Sequence, residues 1–155
     1  MKKNRIICVG NRLIAEDSLG PAVFDRLQDL DMPPQVEVID GGLLGLDLLP
    51  YFENAGKVVI VDAVCGFGNA GEVVVLEDGV FRSVAEKQYD HAGGLGYLIR
   101  VLPQVLDCVP DIYLVGVETP HNETSISEAG AVALSLCVGD KPIEMHEPAR
   151  SVEAL

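Results

Sequence analysis

A chain of 155 residues with 48% hydrophobic residues is long enough to bury one core and too apolar to remain disordered. Its net charge of −13 opposes a nucleic-acid backbone or an anionic membrane as the main partner, and suits a metal ion or a basic peptide. None of the four cysteines forms a CxxC pair: Cys8, Cys108 and Cys137 lie in apolar runs as small buried hydrophobes, and Cys65 sits in a glycine-bearing loop. Reduced thiols, the lack of a signal-peptide core and the lack of an apolar run of about 18 residues predict a soluble cytoplasmic protein with no membrane partner.

Residues 5–9 are a continuous apolar run, read as a buried strand ended by Gly10-Asn11. Ser18 is set to cap a helix over 19–30, with Pro21 in its first turn, where a missing N–H costs nothing, and Val23, Leu27 and Leu30 at helical spacing. A second strand over 36–39 stops at Asp40-Gly41-Gly42, and a helix over 44–52 follows. Residues 57–61 form the third strand, ending at Asp62, and 72–76 the fourth. The polar, glycine-bearing stretch 78–94 reads as a loop with one helical turn, before a helix over 95–106 and a fifth strand over 112–117. Ser125-Ile126-Ser127-Glu128 has capping-box spacing for a helix running to 138, and the polar tail from Gly139 is expected to be poorly ordered.

Strands separated by helices imply a single-domain three-layer α/β/α sandwich around a mostly parallel, about five-stranded doubly wound sheet. In such sheets ligands sit at the carboxyl ends of the strands where the chain order reverses; with order 2-1-3 that point lies between strands one and three.

Candidate chemistry clusters there. After strand one comes Gly10-Asn11-Arg12-Leu13-Ile14-Ala15-Glu16-Asp17-Ser18-Leu19-Gly20, with a doubly acidic pair at a loop-to-helix junction. The pair serves either as helix capping or as chemistry. Asp62 follows a run of Val and Ile, so its carboxylate either emerges into the crevice or is buried against a partner. His91 stands in a polar loop, as an exposed bystander or as a ligand; His121 and His146 have weaker settings. Together Asp17, Asp62 and His91 form an N/O ligand set with open positions, suited to nickel, zinc or a related divalent ion. Glu16, beside Asp17, is a candidate general base, and Asp40 orients either the His91 loop or its own turn. The glycine clusters lack dinucleotide-binding spacing, and no GxSxG or HExxH occurs.

In order along the chain, these segments resemble the hydrogenase maturation endopeptidases. The similarity rests on Gly10-Asn11 through Gly20, on Asp40-Gly41-Gly42, on Val58-Val59-Ile60-Val61-Asp62-Ala63, on His91 followed by Leu95, and on Val115 to Glu118. Glu16 stands where the family usually has Asp. The resemblance implies an aspartate-dependent protease that removes the C-terminal extension of a nickel–iron hydrogenase large-subunit precursor after nickel insertion. It also implies that Asp17, Asp62 and His91 read nickel supplied by that substrate, with no organic cofactor. Two other classes compete: a non-catalytic nickel-binding chaperone using the same ligands, and a nucleotide-binding module, which Glu16 and Asp17 oppose by repelling phosphate. Oligomeric state has no signal in the sequence.

Overall fold

The computed structural model describes residues 2–77, 79–80 and 95–139. Its strands are β1 (Lys3–Val9), β2 (Val36–Gly42), β3 (Ala55–Val64), β4 (Val73–Glu77) and β5 (Asp111–Glu118). Its helices are α1 (Leu19–Gln28), α2 (Leu49–Phe52), α3 (Leu95–Val105) and α4 (Glu123–Val138). The strands form one sheet in the order β2-β1-β3-β5-β4. β1 lies parallel between β2 and β3, and β3 pairs parallel with β5 from Lys57↔Asp111 to Val64↔Glu118.

The continuous apolar strands are buried on both faces, as a sheet covered by helices on each side requires. Ile7, Val9, Val58, Ile60, Val64 and Leu114 meet Leu48, Phe52, Leu95, Leu98, Ile99 and Leu102 on one face. Their alternates Ile6, Cys8, Val59, Val61, Val115 and Val117 meet α1 and α4 on the other. At the far end of α4, Lys57 donates from Nζ to the carbonyls of Leu136 (2.7 Å) and Gly139, and Asn4 Nδ2 donates to Cys137 O at 2.8 Å. A cation thus meets carbonyls left open at a helix C-terminus.

Several boundaries differ from expectation for identifiable reasons. β4 runs antiparallel to β5 as an edge strand. The connection after β3 is too short for a parallel crossover; it passes over the end of β5 and returns beside it. β3 continues beyond Val61 to Val64, because Asp62, Ala63 and Val64 keep their pairing with β5. The helix expected over 44–52 divides into a 3-10 turn, Leu46–Leu48, and α2. Ser18 makes no capping bond to α1; its Oγ donates to Ala15 O at 2.9 Å. α1 itself ends at Gln28, short of Leu30. α4 starts early: Asn122 is its cap and Ser125 the third-position partner, each bonding the other's backbone N–H. All four cysteines are free thiols, and Cys108 is exposed because it falls in the turn before β5 rather than in a strand. The expected loop lies mostly, and the expected tail almost wholly, outside the described residues.

Candidate active site

The carboxyl ends of β1 and β3, where the strand order reverses, carry the first two candidates. After β1 the chain turns tightly. Gly10 has φ +140°, a backbone region that disfavours side chains, and a Cβ there would stand 2.2 Å from Asp17 O. Asn11 N donates to Asp17 O at 2.9 Å and to Asp17 Oδ2 at 3.0 Å, closing the loop on itself. A single 3-10 turn, Ala15–Asp17, then delivers α1, whose Gly20 is so close that a Cβ would lie 1.9 Å from Val9 O. Asp17 is half-buried at this junction and Glu16 is exposed. Asp17 thus belongs to the packing of α1 onto β1, with one carboxylate oxygen holding the loop.

Arg12 ties the same loop to its surroundings. Its guanidinium donates to both carboxylate oxygens of Asp25 at 2.7 and 2.9 Å and reaches Asp40 Oδ2 at 3.4 Å. The hydrogen bonds from Arg12 hold the Asp25 carboxyl below its ordinary range. Asp40 therefore faces Arg12, a partner with no signal in the sequence.

Asp62 sits within β3, 5% exposed, rather than emerging beyond the strand. Its Oδ1 accepts from Ala63 N at 2.8 Å. By strand alternation it shares the face of Ile60 and Val64, where α3 packs. α3 leads towards the start of β1, since Lys2 Nζ stands 3.7 Å from Cys108 Sγ just past its end. Its first residue, buried Leu95, is accordingly at the carboxyl end of the sheet, on the Asp62 face. His91 and His146 lie outside the described residues, and His121 is half-buried after β5. Among the described residues no group of three or more His, Cys, Asp and Glu side chains is placed to hold a metal ion.

Two features were assigned no site role from the sequence. Glu118, closing β5, is 6% exposed, and its Oε1 accepts from the N–H groups of Gly66, Phe67 and Gly68 at 2.6, 3.1 and 3.4 Å. It carries the same signal that picks out Asp62, an acid ending an apolar strand. The loops after β1 and β2 also expose Leu13 (93%), Leu43 (67%), Ile14, Leu44 and Leu46. The two loops are joined at their starts by Gly10 N donating to Gly42 O at 2.9 Å.

The match to known proteins agrees with this architecture. The family described as hydrogenase maturation protease matches residues 21–137. The chain belongs to that family. It is 30% identical over 115 residues to the hydrogenase 2 maturation protease of Escherichia coli (strain K12), covering 72% of this chain and 70% of the relative. Hydrogenase maturating endopeptidase HybD from E. coli superposes with a TM-score of 0.72 at 24% identity, over 86% of this chain and 88% of that one. The [NiFe] hydrogenase maturation protease HybD from Thermococcus kodakarensis gives a TM-score of 0.70 at 17% identity over 87% of this chain and 99% of that one. The protein is therefore a hydrolase, an endopeptidase of hydrogenase maturation. The chaperone reading finds no support, since these relatives carry protease names. Among the described residues no helix is long and apolar enough to cross a membrane.

Proposed function

We propose that this endopeptidase removes the C-terminal extension of a nickel–iron hydrogenase large-subunit precursor once nickel is in place, using Asp17, Asp62 and His91. What supports the reading is that Asp17 follows β1 and Asp62 lies near the end of β3, adjacent parallel strands at the reversal of the sheet. Leu95, which follows His91 by four residues in the sequence, begins α3 on the Asp62 face of the sheet.

Carboxylate and imidazole donors fit a divalent ion of the nickel or zinc class, and two carboxylates alone leave its coordination unfinished. Nickel belongs to the client in this reading, and would act as a Lewis acid when bound. The chain's own residues set the positions. Asn11 N fixes the Asp17 carboxylate through Oδ2, and Ala63 N fixes that of Asp62 through Oδ1. Glu16 is exposed and turned about 120° from Asp17 on the 3-10 turn. As the carboxylate open to solvent beside Asp17, it is assigned the general base in this reading. The exposed leucines of the loops after β1 and β2 receive the folded client beside its tail. A cytoplasmic setting is supported by the exposed, unpaired thiols of Cys65 and Cys108.

The test is processing of a large-subunit precursor with and without nickel, followed by mass spectrometry. Cleavage of the loaded form alone, with casein left intact, is expected. Equal cleavage of both forms would remove nickel from the reading, and binding without cleavage of either would remove the proteolysis of this client.

A further inference from the structure

Residues 12–16, the outer part of the loop between β1 and α1, are all exposed, so burial does not hold them in place. Hydrogen bonds inside the loop make it one unit instead. Asn11 N donates to Asp17 O and Oδ2, Leu13 N to Asn11 Oδ1 at 2.9 Å, Ile14 N to Asn11 O at 3.2 Å, and Asp17 N to Ile14 O at 2.9 Å. The 3-10 turn that bears Asp17 lies beside β3, the strand of Asp62. A tilt of the loop therefore carries the Asp17 carboxylate with it, towards β3 or away.

The bond from Gly10 N to Gly42 O fixes where the loop starts, not how far it leans. Arg12 reaches out of the loop to both flanking elements. Its guanidinium grips both carboxylate oxygens of Asp25, midway along α1, and its Nη2 reaches Asp40 near the end of β2. Ion pairs as exposed as these add little to stability. What a two-pronged guanidinium–carboxylate pair adds is direction, because the planar fork accepts its partner at one angle. The pairing is therefore better explained by placement than by stability.

We propose that Arg12 is a positioning residue: braced on Asp25 and Asp40, it sets the lean of the loop and so aims the Asp17 carboxylate at the β3 side of the crevice. This rests on the reading of Asp17 and Asp62 given above. The fork of Arg12 is occupied by Asp25, so the residue acts through the loop rather than on the client.

Arg12→Gln and Asp25→Asn, singly and together, test this in steady-state cleavage of a nickel-loaded large-subunit precursor, with thermal unfolding and amide hydrogen exchange of the free protein alongside. Each single variant should lower kcat roughly tenfold, since a misplacement of about 1 Å costs up to about a hundredfold. KM should stay within about threefold, because apolar contact through Leu13 is non-directional and tolerates a shift that carboxylate geometry does not. The double variant should be no slower than the worse single one, as both break the same brace. Arg12→Lys keeps the charge but loses the fork, and should recover only part of kcat. Tm should stay within about 1–2 °C of wild type. The amides of Asn11, Leu13, Ile14 and Asp17 should exchange faster in both single variants, and those of β1 and β3 at the wild-type rate. An unchanged kcat would overturn the proposal. So would a loss in Arg12→Gln that Asp25→Asn does not share, which would make Arg12 a client contact. A wild type that leaves the precursor uncut would defeat the client reading, and the loop amides would then decide the brace alone: unchanged exchange would overturn it.

Discussion

Gly20→Ala tests how the fold positions Asp17. A Cβ at residue 20 would meet Val9 O at 1.9 Å and Val9 C and N at 2.7 and 2.8 Å, all backbone atoms that cannot swing aside. Relief requires α1 to lift from β1 by about 1 Å, and a gap of that size forfeits roughly a quarter to a half of each contact's attraction. The side chains that lose contact are Leu19 and Val23, both fully buried. Their burial is worth about 1.5–3 kcal/mol each, so the lost contact and the added backbone strain come to about 3 kcal/mol. For a domain of this size that lowers Tm by roughly 6–12 °C. The lift also carries Asp17, and a misplacement of about 1 Å costs on the order of a hundredfold in rate. Gly130→Ala is the control: its Cβ would find Leu27 and Val23 side chains at 3.6 to 4.0 Å, ordinary contact inside α4. Replacing that helical glycine should stabilise by about 0.5–1 kcal/mol. Urea unfolding of both variants, with precursor processing, is the assay. Gly20→Ala within about 0.5 kcal/mol of wild type, or Gly130→Ala destabilised equally, would refute the reasoning.

The other predictions concern the surface and the thiols. Replacing exposed Leu13 and Leu43 together with serine should raise the KM for a folded precursor several-fold and leave Tm within about 1–2 °C, since neither side chain packs in the core. An unchanged KM would remove these loops from the client interface. Burial pushes the Cys137 thiol up to about 11 and raises that of Cys8 as well. An acid whose folded pKa is raised ionises first in the unfolded chain, so stability should fall as pH rises above about 8.5, by at most about 1.4 kcal/mol per pH unit per thiol. Urea midpoints between pH 8 and 11 check this, and Cys8→Ala should flatten the slope. In the native protein a thiol reagent should label Cys65 and Cys108 and spare Cys8 and Cys137 until unfolding.

How far the sequence speaks depends on whether a signal is local. The apolar runs at Ile6 to Val9 and Val58 to Val61 identify buried strands because both faces of the sheet are covered. The order β2-β1-β3, and with it the position of the crevice, follows from the alternation of strands and helices. The end of β3 does not, because Asp62 looks like a terminator until its pairing with Gly116 is seen. The antiparallel return of β4 hinges on a connection length, and the Arg12 link to Asp25 and Asp40 on residues far apart in the chain. Asn122 as the cap of α4 was masked by a stronger pattern three residues later. Glu118 was legible by the reasoning that found Asp62, but its turn partners are about 50 residues away, and only the fold reveals why it is buried.

The most direct test of the account is Asp62→Asn assayed on a nickel-loaded large-subunit precursor. The substitution keeps the shape and leaves a carbonyl oxygen to accept from Ala63 N, so the fold should hold. Processing, read by mass spectrometry of the large subunit, should fall by on the order of a hundredfold or more, the scale of losing a transition-state electrostatic contact. An Asp62→Asn protein that is folded and still cleaves the precursor at the wild-type rate would contradict the site proposed at the carboxyl end of the sheet.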